Sequence, residues 1–294
     1  MIAHKLIDEE GEEERKPRSR IFLVLLWIAM LLIAFVFIFA LLNFLGGIFP
    51  TRLVSLDWGG YIAFSPNQQP LISGVSGSWT VPRVEPTSED SSSAMWIGVG
   101  GYVDSDNTLI QAGTEQDSVN GAGVYSAWYE TLPGNSIGIN TLSIHPGDRV
   151  SVSIMLVNSG AHTWSIIVSD TTTGQKFQNS LTYSSSRLSA EWIVERPTIN
   201  GGLSPLTNFG SVTFSNSMAI NNATSESINK FSYARITMID QQNTQLVSIS
   251  SLSSDGESFT VNYLISGSTT AILKNYFDNT IAVQSDQAVR KALA

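Results

Sequence analysis

Short runs of β-branched and aromatic residues recur from Gly60 to Leu264, and residues that favour turns separate them. In Arg149–Leu156 the apolar residues occupy every second position, which is typical of a strand with one face on a core. Pro146-Gly147-Asp148 and Thr173-Gly174 are typical tight turns between such runs. No helical period of any length stands out between these limits. The pattern predicts an all-β domain, an antiparallel β-sandwich of the concanavalin or lectin type.

The N-terminal part of the chain carries a different signal. Ile21–Leu42 is an apolar, partly aromatic run, and no charged residue follows it before Pro50. Roughly 20 apolar residues span a bilayer, whereas the apolar part of a cleaved secretory signal has about 7–15. A helix over this run has no polar face, which argues against a core helix. We therefore predict a single transmembrane helix over residues 21–45.

The basic residues that flank this run predict its orientation. Before the span lie Arg15, Lys16, Arg18 and Arg20, and only Arg52 follows it closely. Because Lys and Arg concentrate on the cytoplasmic side, we expect a single-pass membrane protein with a cytoplasmic N-terminus and an extracytoplasmic β-domain. The expected order is a cytoplasmic segment (1–20), the transmembrane helix (21–45), a linker (46–56), the β-sandwich domain (57–264) and a C-terminal extension (265–294).

Composition narrows the classes of partner and chemistry. The formal net charge is −9 and no basic patch is present, so nucleic acid is not an expected partner. The chain has no cysteine, which excludes disulfides and thiolate chemistry. His4, His145 and His162 are far apart and have no metal-ligand spacing. We expect neither a metal nor another cofactor.

Two polar side chains lie inside runs that otherwise have the pattern of buried strands. Gln111 lies in Leu109–Gly113, and Glu191 lies in Ser189–Ile193. If these two strands lie side by side, both groups can project onto one face of a sheet. Gly113, two residues beyond Gln111, would then leave room for a substrate backbone. A carboxylate and a carboxamide are together enough to activate a water and to stabilise an oxyanion.

Several further motifs accompany this pair in a fixed order. They are Trp58-Gly59-Gly60, Ser78-Trp79-Thr80-Val81-Pro82, Trp96-Ile97-Gly98, Tyr125-Ser126-Ala127-Trp128-Tyr129-Glu130, Thr172-Thr173-Gly174-Gln175-Lys176 and Ala190-Glu191-Trp192-Ile193. In order and approximate spacing, these segments and Gln111 resemble the glutamic peptidases called eqolisins. The resemblance extends from about Leu56 to Leu264.

The resemblance implies an acid endopeptidase that acts on polypeptides and needs no cofactor, and the predicted membrane orientation would make it outward-facing. Its catalytic residues would be Gln111 and Glu191, and its substrate-binding residues would be Trp96, Trp128, Glu130 and Glu115. Glu191 would take a proton from water and return it to the leaving amine, while the Gln111 amide would donate to the oxyanion. An unperturbed glutamate titrates near pH 4.3, so such a base suits an acidic medium.

Two positions depart from the family pattern. Gly100 stands where the pattern has an acid, and Ser126 replaces another acid in Tyr125–Glu130. Neither change removes the expected chemistry. Both affect the side-chain specificity of the cleft and any tuning of the Glu191 pKa by neighbouring acids.

Two other functions fit the same predicted fold. A lectin-like glycan hydrolase would use a pair of carboxylates such as Glu191 and Glu130, and Gln111 would then be dispensable. A non-catalytic surface binding module would need neither carboxylate. Since fold alone does not decide function, the arrangement of these side chains must discriminate among the three.

Overall fold

The structure is a computed structural model that describes residues 51–102, 106–221 and 223–264, together with Trp27, Met30 and Ala34, which are helical. The predicted cytoplasmic segment (1–20) and C-terminal extension (265–294) lie outside the described residues, as does nearly all of the predicted transmembrane helix (21–45). Within the described part of the chain, no helix is both long and apolar enough to cross a membrane.

Eighteen strands make up the described domain. In chain order they are Thr51–Ser55 (β1), Trp58–Phe64 (β2), Ile72–Thr80 (β3), Ala94–Val99 (β4), Ile110–Val119 (β5), Ala122–Thr131 (β6), Ile137–Gly138 (β7), Arg149–Asn158 (β8), Thr163–Asp170 (β9), Gln175–Thr182 (β10), Ser189–Glu195 (β11), Thr198–Ile199 (β12), Gly202–Leu203 (β13), Ser211–Asn221 (β14), Thr224–Ser227 (β15), Ser232–Met238 (β16), Val247–Ile249 (β17) and Phe259–Tyr263 (β18). Two 3-10 turns, Pro66–Gln68 and Ile228–Lys230, complete the regular structure of these residues.

The strands form two large sheets and one small hairpin. The front sheet has the order β1-β16-β2-β11-β4-β5-β6-β7, and the back sheet has the order β10-β9-β8-β3-β14-β18-β17, with β15 beside β14. β12 and β13 pair with each other. Among the described strand pairs, only β1 and β16 run parallel. The predicted all-β fold is confirmed, and its first strand begins at Thr51, inside the segment predicted as a linker.

One apolar core lies between the two sheets. It includes Trp192 of the front sheet and Val75, Val152 and Trp164 of the back sheet. All four side chains are fully buried. Burying a side chain of this size contributes about 1.5–3 kcal/mol, so the core dominates the stability of a chain without disulfides. The indole N–H of Trp192 donates to Ser76 O at 2.8 Å, so burial leaves that donor satisfied.

The opposite face of the front sheet carries a second apolar cluster. Ile62, Trp96, Ile193 and Trp128 belong to it. Because β4 and β11 are central strands with apolar groups on both faces, nearly all their residues are buried. We call this face, opposite the inter-sheet core, the cleft face. The residues predicted to be catalytic project from it.

Candidate active site

Strand register places the predicted catalytic pair in one row across the front sheet. Glu191 of β11 pairs with Gly98 of β4, Gly98 pairs with Gln111 of β5, and Gln111 pairs with Glu130 of β6. Directly opposite residues of neighbouring strands share a face. All three polar side chains therefore project from the cleft face. The two strands that carry the pair are not direct neighbours, because β4 runs between them.

The intervening position is a glycine, and the surrounding packing requires one. A Cβ on Gly98 would lie 2.8 Å from Leu109 Cδ1, 3.1 Å from the Trp96 ring and 3.2 Å from Ile110 O. No side chain of β4 therefore separates Glu191 from Gln111. Two strand spacings put their Cα atoms about 9–10 Å apart.

Gly113 has a different role from the one its position in the sequence suggests. A Cβ there would lie 2.0 Å from Met95 O and 2.7 Å from Trp96 Cβ. The residue thus allows β4 and β5 to approach closely, and the backbone of β4 already occupies the space. The prediction that Gly113 leaves room for substrate is wrong.

Glu191 is a fully buried carboxyl, 0% exposed. Neither carboxylate oxygen has a hydrogen-bond partner among the described protein atoms. Burial raises its pKa well above the ordinary value of 4.5. The nearby Ser189 hydroxyl lowers the pKa somewhat, although no hydrogen bond of normal geometry joins the two, and the negative charge of Asp106 raises it.

Gln111 is held at one end of its amide. Its Nε2 donates to Glu130 Oε2 at 2.6 Å, while its buried Oε1 has no partner within the described residues. Burial raises the pKa of Glu130, and the bond from Gln111 lowers it in part. Because an Nε2 group carries two N–H donors, the second one remains available to another acceptor. Glu130 therefore orients the amide and uses only one of its two N–H donors.

The two tryptophans predicted to line the cleft lie in the next row of the same face. Trp96 pairs with Gly113, and Gly113 pairs with Trp128. Trp96 Nε1 donates to Glu195 Oε2 at 2.6 Å, and its ring meets that of Trp58 edge to face at 5.0 Å between centroids. Trp128 is 8% exposed, and its Nε1 has no partner among the described atoms.

Glu115 lies on the cleft face further along β5. It pairs with Ala94 of β4, which pairs with Glu195 of β11. It is four residues from Gln111, about 13 Å along the strand, so it does not meet the catalytic pair directly. Burial raises its pKa. Its neighbour on that face, Asp117, has a pKa raised to about 7, first by burial and then by the charge of Glu115.

Two acids of this face were not predicted from the sequence, namely Asp106 and Asp117. Asp106 lies in the connection between β4 and β5 and acts electrostatically on Glu191. Its signal in the sequence was weak, since Asp-Asn-Thr is also typical of an ordinary turn. Asp117 shares the strand alternation of Gln111 and Glu115, so the period of β5 could have identified it.

The arrangement joins a base of raised pKa to an oriented amide donor on one apolar face. Buried polar atoms nearly always have partners, so each one without a partner needs an explanation, and a catalytic role is one such explanation. Here Glu191 Oε1 and Oε2, Gln111 Oε1 and Trp128 Nε1 share one face and lack partners among the described residues. In the same part of the chain, no group of three or more His, Cys, Asp or Glu side chains could hold a metal ion.

Comparisons with known proteins agree on one family. The chain matches the model of the peptidase A4 family over residues 56–263. Among curated proteins it is 28% identical to aspergillopepsin-2 of Aspergillus niger over 196 residues, which is 65% of this chain and 66% of that protein. The match thus spans just under two thirds of that relative's length.

Solved structures give the same result for the fold. A crystal structure of scytalido-glutamic peptidase with a transition state analog inhibitor superimposes with a TM-score of 0.60 at 24% identity, covering 71% of this chain and 99% of that one. Aspergilloglutamic peptidase from Aspergillus niger gives a TM-score of 0.53 at 26% identity, covering 59% of this chain and 99% of that one. At 24% identity the first likeness shows the fold alone.

Proposed function

Since the chain belongs to the peptidase A4 family, we propose that it is a glutamic endopeptidase that hydrolyses peptide bonds with a water activated by Glu191. One observation carries the proposal. Glu191 and Gln111 occupy the same register row of the cleft face, and only the side-chain-free position Gly98 lies between them. Family membership agrees with the eqolisin resemblance of the sequence.

The chemistry follows from the two side chains. Ionised Glu191 accepts a proton from a water, and the oxygen of that water attacks the scissile carbonyl carbon. The Gln111 amide, oriented by its bond to Glu130, donates to the carbonyl oxygen as negative charge develops there. A donor of this kind contributes about 2.7–4 kcal/mol of transition-state stabilisation in other hydrolases. Protonated Glu191 then donates its proton to the leaving amine, and the C–N bond breaks.

Burial sets the conditions under which this base works. Because the pKa of Glu191 is raised, a larger fraction of the enzyme holds the proton in mild acid, and the ionised form is a stronger base once formed. On the acid side, kcat/KM should therefore fall at a higher pH than it would for a base with the pKa of an ordinary glutamate. We call this fall the acid-side limb. Full burial of Glu191 also means that the groups covering it must move before a peptide reaches it.

The glycan hydrolase alternative fits the geometry less well. Glu130 is three strand spacings from Glu191, and the Gln111 side chain lies between them in the same row. Glu130 Oε2 also already accepts a hydrogen bond from the Gln111 amide. A pair of glycosidase carboxyls must face one sugar across an unobstructed gap of about 5–9.5 Å. In a peptidase each side chain of this row has a function: Glu191 is the base, Gln111 donates to the oxyanion, and Glu130 orients Gln111.

We propose further that the protein is anchored in a membrane through residues 21–45, with the β-domain on the extracytoplasmic side. The support is the uncharged run itself and the excess of Lys and Arg before it. Retention of the chain in membranes after an alkaline carbonate wash tests the anchor. Digestion of the β-domain by protease added to intact cells tests the orientation, and release by the wash would contradict the anchor.

The test of the peptidase proposal is cleavage of an unfolded protein by the purified full-length chain between about pH 2 and pH 7. Wild type, Glu191→Gln and Gln111→Ala are compared, with Glu89→Gln as a control for loss of an exposed charge. Circular dichroism checks that each variant is folded. We expect wild type and the control to cleave, with activity falling at the acid end of this range as Glu191 becomes protonated, and we expect loss of cleavage in both site variants. A folded wild type that cleaves nothing would refute the proposal.

A further inference from the structure

Asp106 has an unusually well-connected carboxylate at one end of the cleft face. Its Oδ2 accepts from Gly101 N at 2.8 Å and from the Ser186 hydroxyl. Its Oδ1 accepts from Thr108 N at 2.8 Å and from Thr108 Oγ1 at 2.6 Å. Bonds to an ionised acceptor are about twice as strong as neutral ones.

These bonds join three segments of the chain that adjoin β4, β5 and β11, and β5 and β11 carry the proposed catalytic pair. Gly101 follows β4, Thr108 precedes β5 and Ser186 precedes β11. Thr108 and Ser186 are also joined directly, because Ser186 N donates to Thr108 Oγ1 at 2.8 Å. Thr108 is three residues before Gln111, and Ser186 is five residues before Glu191.

A side chain at Gly100 could not provide this carboxylate. Gly100 has φ +90°, a conformation that side chains rarely adopt, and its Cβ would lie 2.7 Å from Thr108 O. Gly100 therefore cannot carry a side chain in this conformation, and the carboxylate at this end of the face is that of Asp106, six residues later.

We propose that Asp106 is a positioning residue of the active site: its carboxylate holds the entries to β5 and β11, and its charge acts on Glu191. The inference rests on the proposed peptidase function. It assigns to Asp106 no contact with substrate. Its effect passes through the placement of Gln111 and Glu191 and through the electrostatic environment of the base.

The proposed effect of the Asp106 charge on Glu191 depends on which other charged groups share the cleft face. The residues that β2 and β4 present on this face are apolar or glycine, so these two neighbouring strands give Glu191 no counter-charge. The acids of this face are Asp106, Glu115, Asp117, Glu130 and Glu195. Of these, Asp106 is the one whose charge raises the pKa of Glu191. Losing that charge should therefore lower the pKa.

The experiment compares Asp106→Asn, which removes the charge and retains one acceptor oxygen, with Asp106→Glu, which retains the charge. Asp255→Asn is the matched control, since Asp255 also accepts from a serine hydroxyl and from the backbone N–H two residues later, in a turn near β18. Full-length variants are assayed for kcat and KM across the acidic pH range, and their Tm is recorded. In parallel, the Glu191 carboxyl is titrated by ¹³C NMR without substrate, its signal identified by its loss in Glu191→Gln.

We expect Asp106→Asn to move both the acid-side limb of kcat/KM and the Glu191 titration to lower pH, because the charge of Asp106 raises the pKa of Glu191. Its kcat should fall about tenfold or more with little change in KM, because the catalytic groups are less well placed. Asp106→Glu should keep the limb near that of wild type, and Asp255→Asn should change neither.

An unchanged Glu191 titration and pH profile in Asp106→Asn, with kcat falling only as Tm falls, would overturn the proposal and leave Asp106 a structural role. The NMR arm separates this failure from failure of the peptidase proposal. A wild type without activity at any pH would refute the enzyme function, whereas the carboxyl titration reports on Asp106 and Glu191 in either case.

Discussion

Replacing Glu191 by glutamine should abolish activity and stabilise the fold at the same time. The substitution retains the shape of the side chain and removes its ability to ionise. In the folded protein the carboxyl is 0% exposed and has no hydrogen-bond partner among the described atoms. Charge at such a position is costly, because nothing replaces the water that an ionised carboxylate binds when the chain is unfolded.

The direction of the pH effect follows from the raised pKa. Unfolded, Glu191 titrates near 4.5, and burial raises the folded-state pKa well above this value. Between the two pKa values the folded state binds more protons than the unfolded state, so the free energy of unfolding falls as pH rises. The stabilising contribution is fully present below pH 4.5 and is lost as pH rises through the folded pKa. Glutamine has no such dependence.

The magnitude is limited by the distance between the unfolded pKa and the pH of the assay. Each unit of upward shift costs about 1.4 kcal/mol once the folded group ionises. At neutral pH we expect Glu191→Gln to be more stable than wild type by on the order of 1–3 kcal/mol. For a domain of this size, that is a rise in Tm of about 2–4 °C for each kcal/mol.

Calorimetry of the full-length wild type and Glu191→Gln at about pH 4 and about pH 7 measures this difference. The gain in Tm should appear at the higher pH and shrink towards zero at the lower one. Glu89→Gln, which removes an exposed charge, should show no such pattern. A gain in Tm that does not change with pH, or a loss at pH 7, would refute the argument that the buried charge is uncompensated.

Three further substitutions test other parts of the site. Gln111→Ala should lower kcat by about 10²–10³-fold with a folded protein, because it removes the oxyanion donor, and steady-state kinetics measures this. Gly98→Ala should destabilise by about 1–3 kcal/mol in urea unfolding, because its Cβ would lie 2.8 Å from Leu109 Cδ1. Asp117→Asn should flatten the loss of stability as pH rises from 3.8 to about 7, because burial and Glu115 raise the pKa of Asp117 across that range. An unchanged slope in thermal melts would contradict this last expectation.

Much of the fold could be predicted because the local sequence pattern of many strands and turns matches the structure they form. In Arg149–Leu156 the alternation of apolar residues predicted one buried face, and β8 covers this run. Turns at Gly147 and Gly174 were also predicted, and both glycines have positive φ. The parallel pairing of β1 with β16 could not be predicted, because Thr51–Ser55 gives no local sign of a partner so distant in sequence.

The residues proposed for the site can be named from the sequence, but their arrangement cannot. Polar residues in apolar runs identified Gln111 and Glu191, yet the sequence does not state strand order, and β4 intervenes between their strands. The role of Gly98 follows only from that order. Asp106 depends on a loop conformation that brings its carboxylate to Ser186, far away in sequence, and local turn propensity does not encode such a contact.

The same groups that make the site also favour stability in acid. Burial raises the pKa of Glu115, Asp117, Glu130 and Glu191, all on the cleft face. Each group contributes stability below its unfolded pKa and loses it as pH rises through the folded pKa, which is opposite to the usual cause of acid unfolding. A carboxyl-lined face that must stay neutral to be stable is best suited to acid. There, the fraction of Glu191 that ionises supplies the base, and the remaining carboxyls cost the fold little.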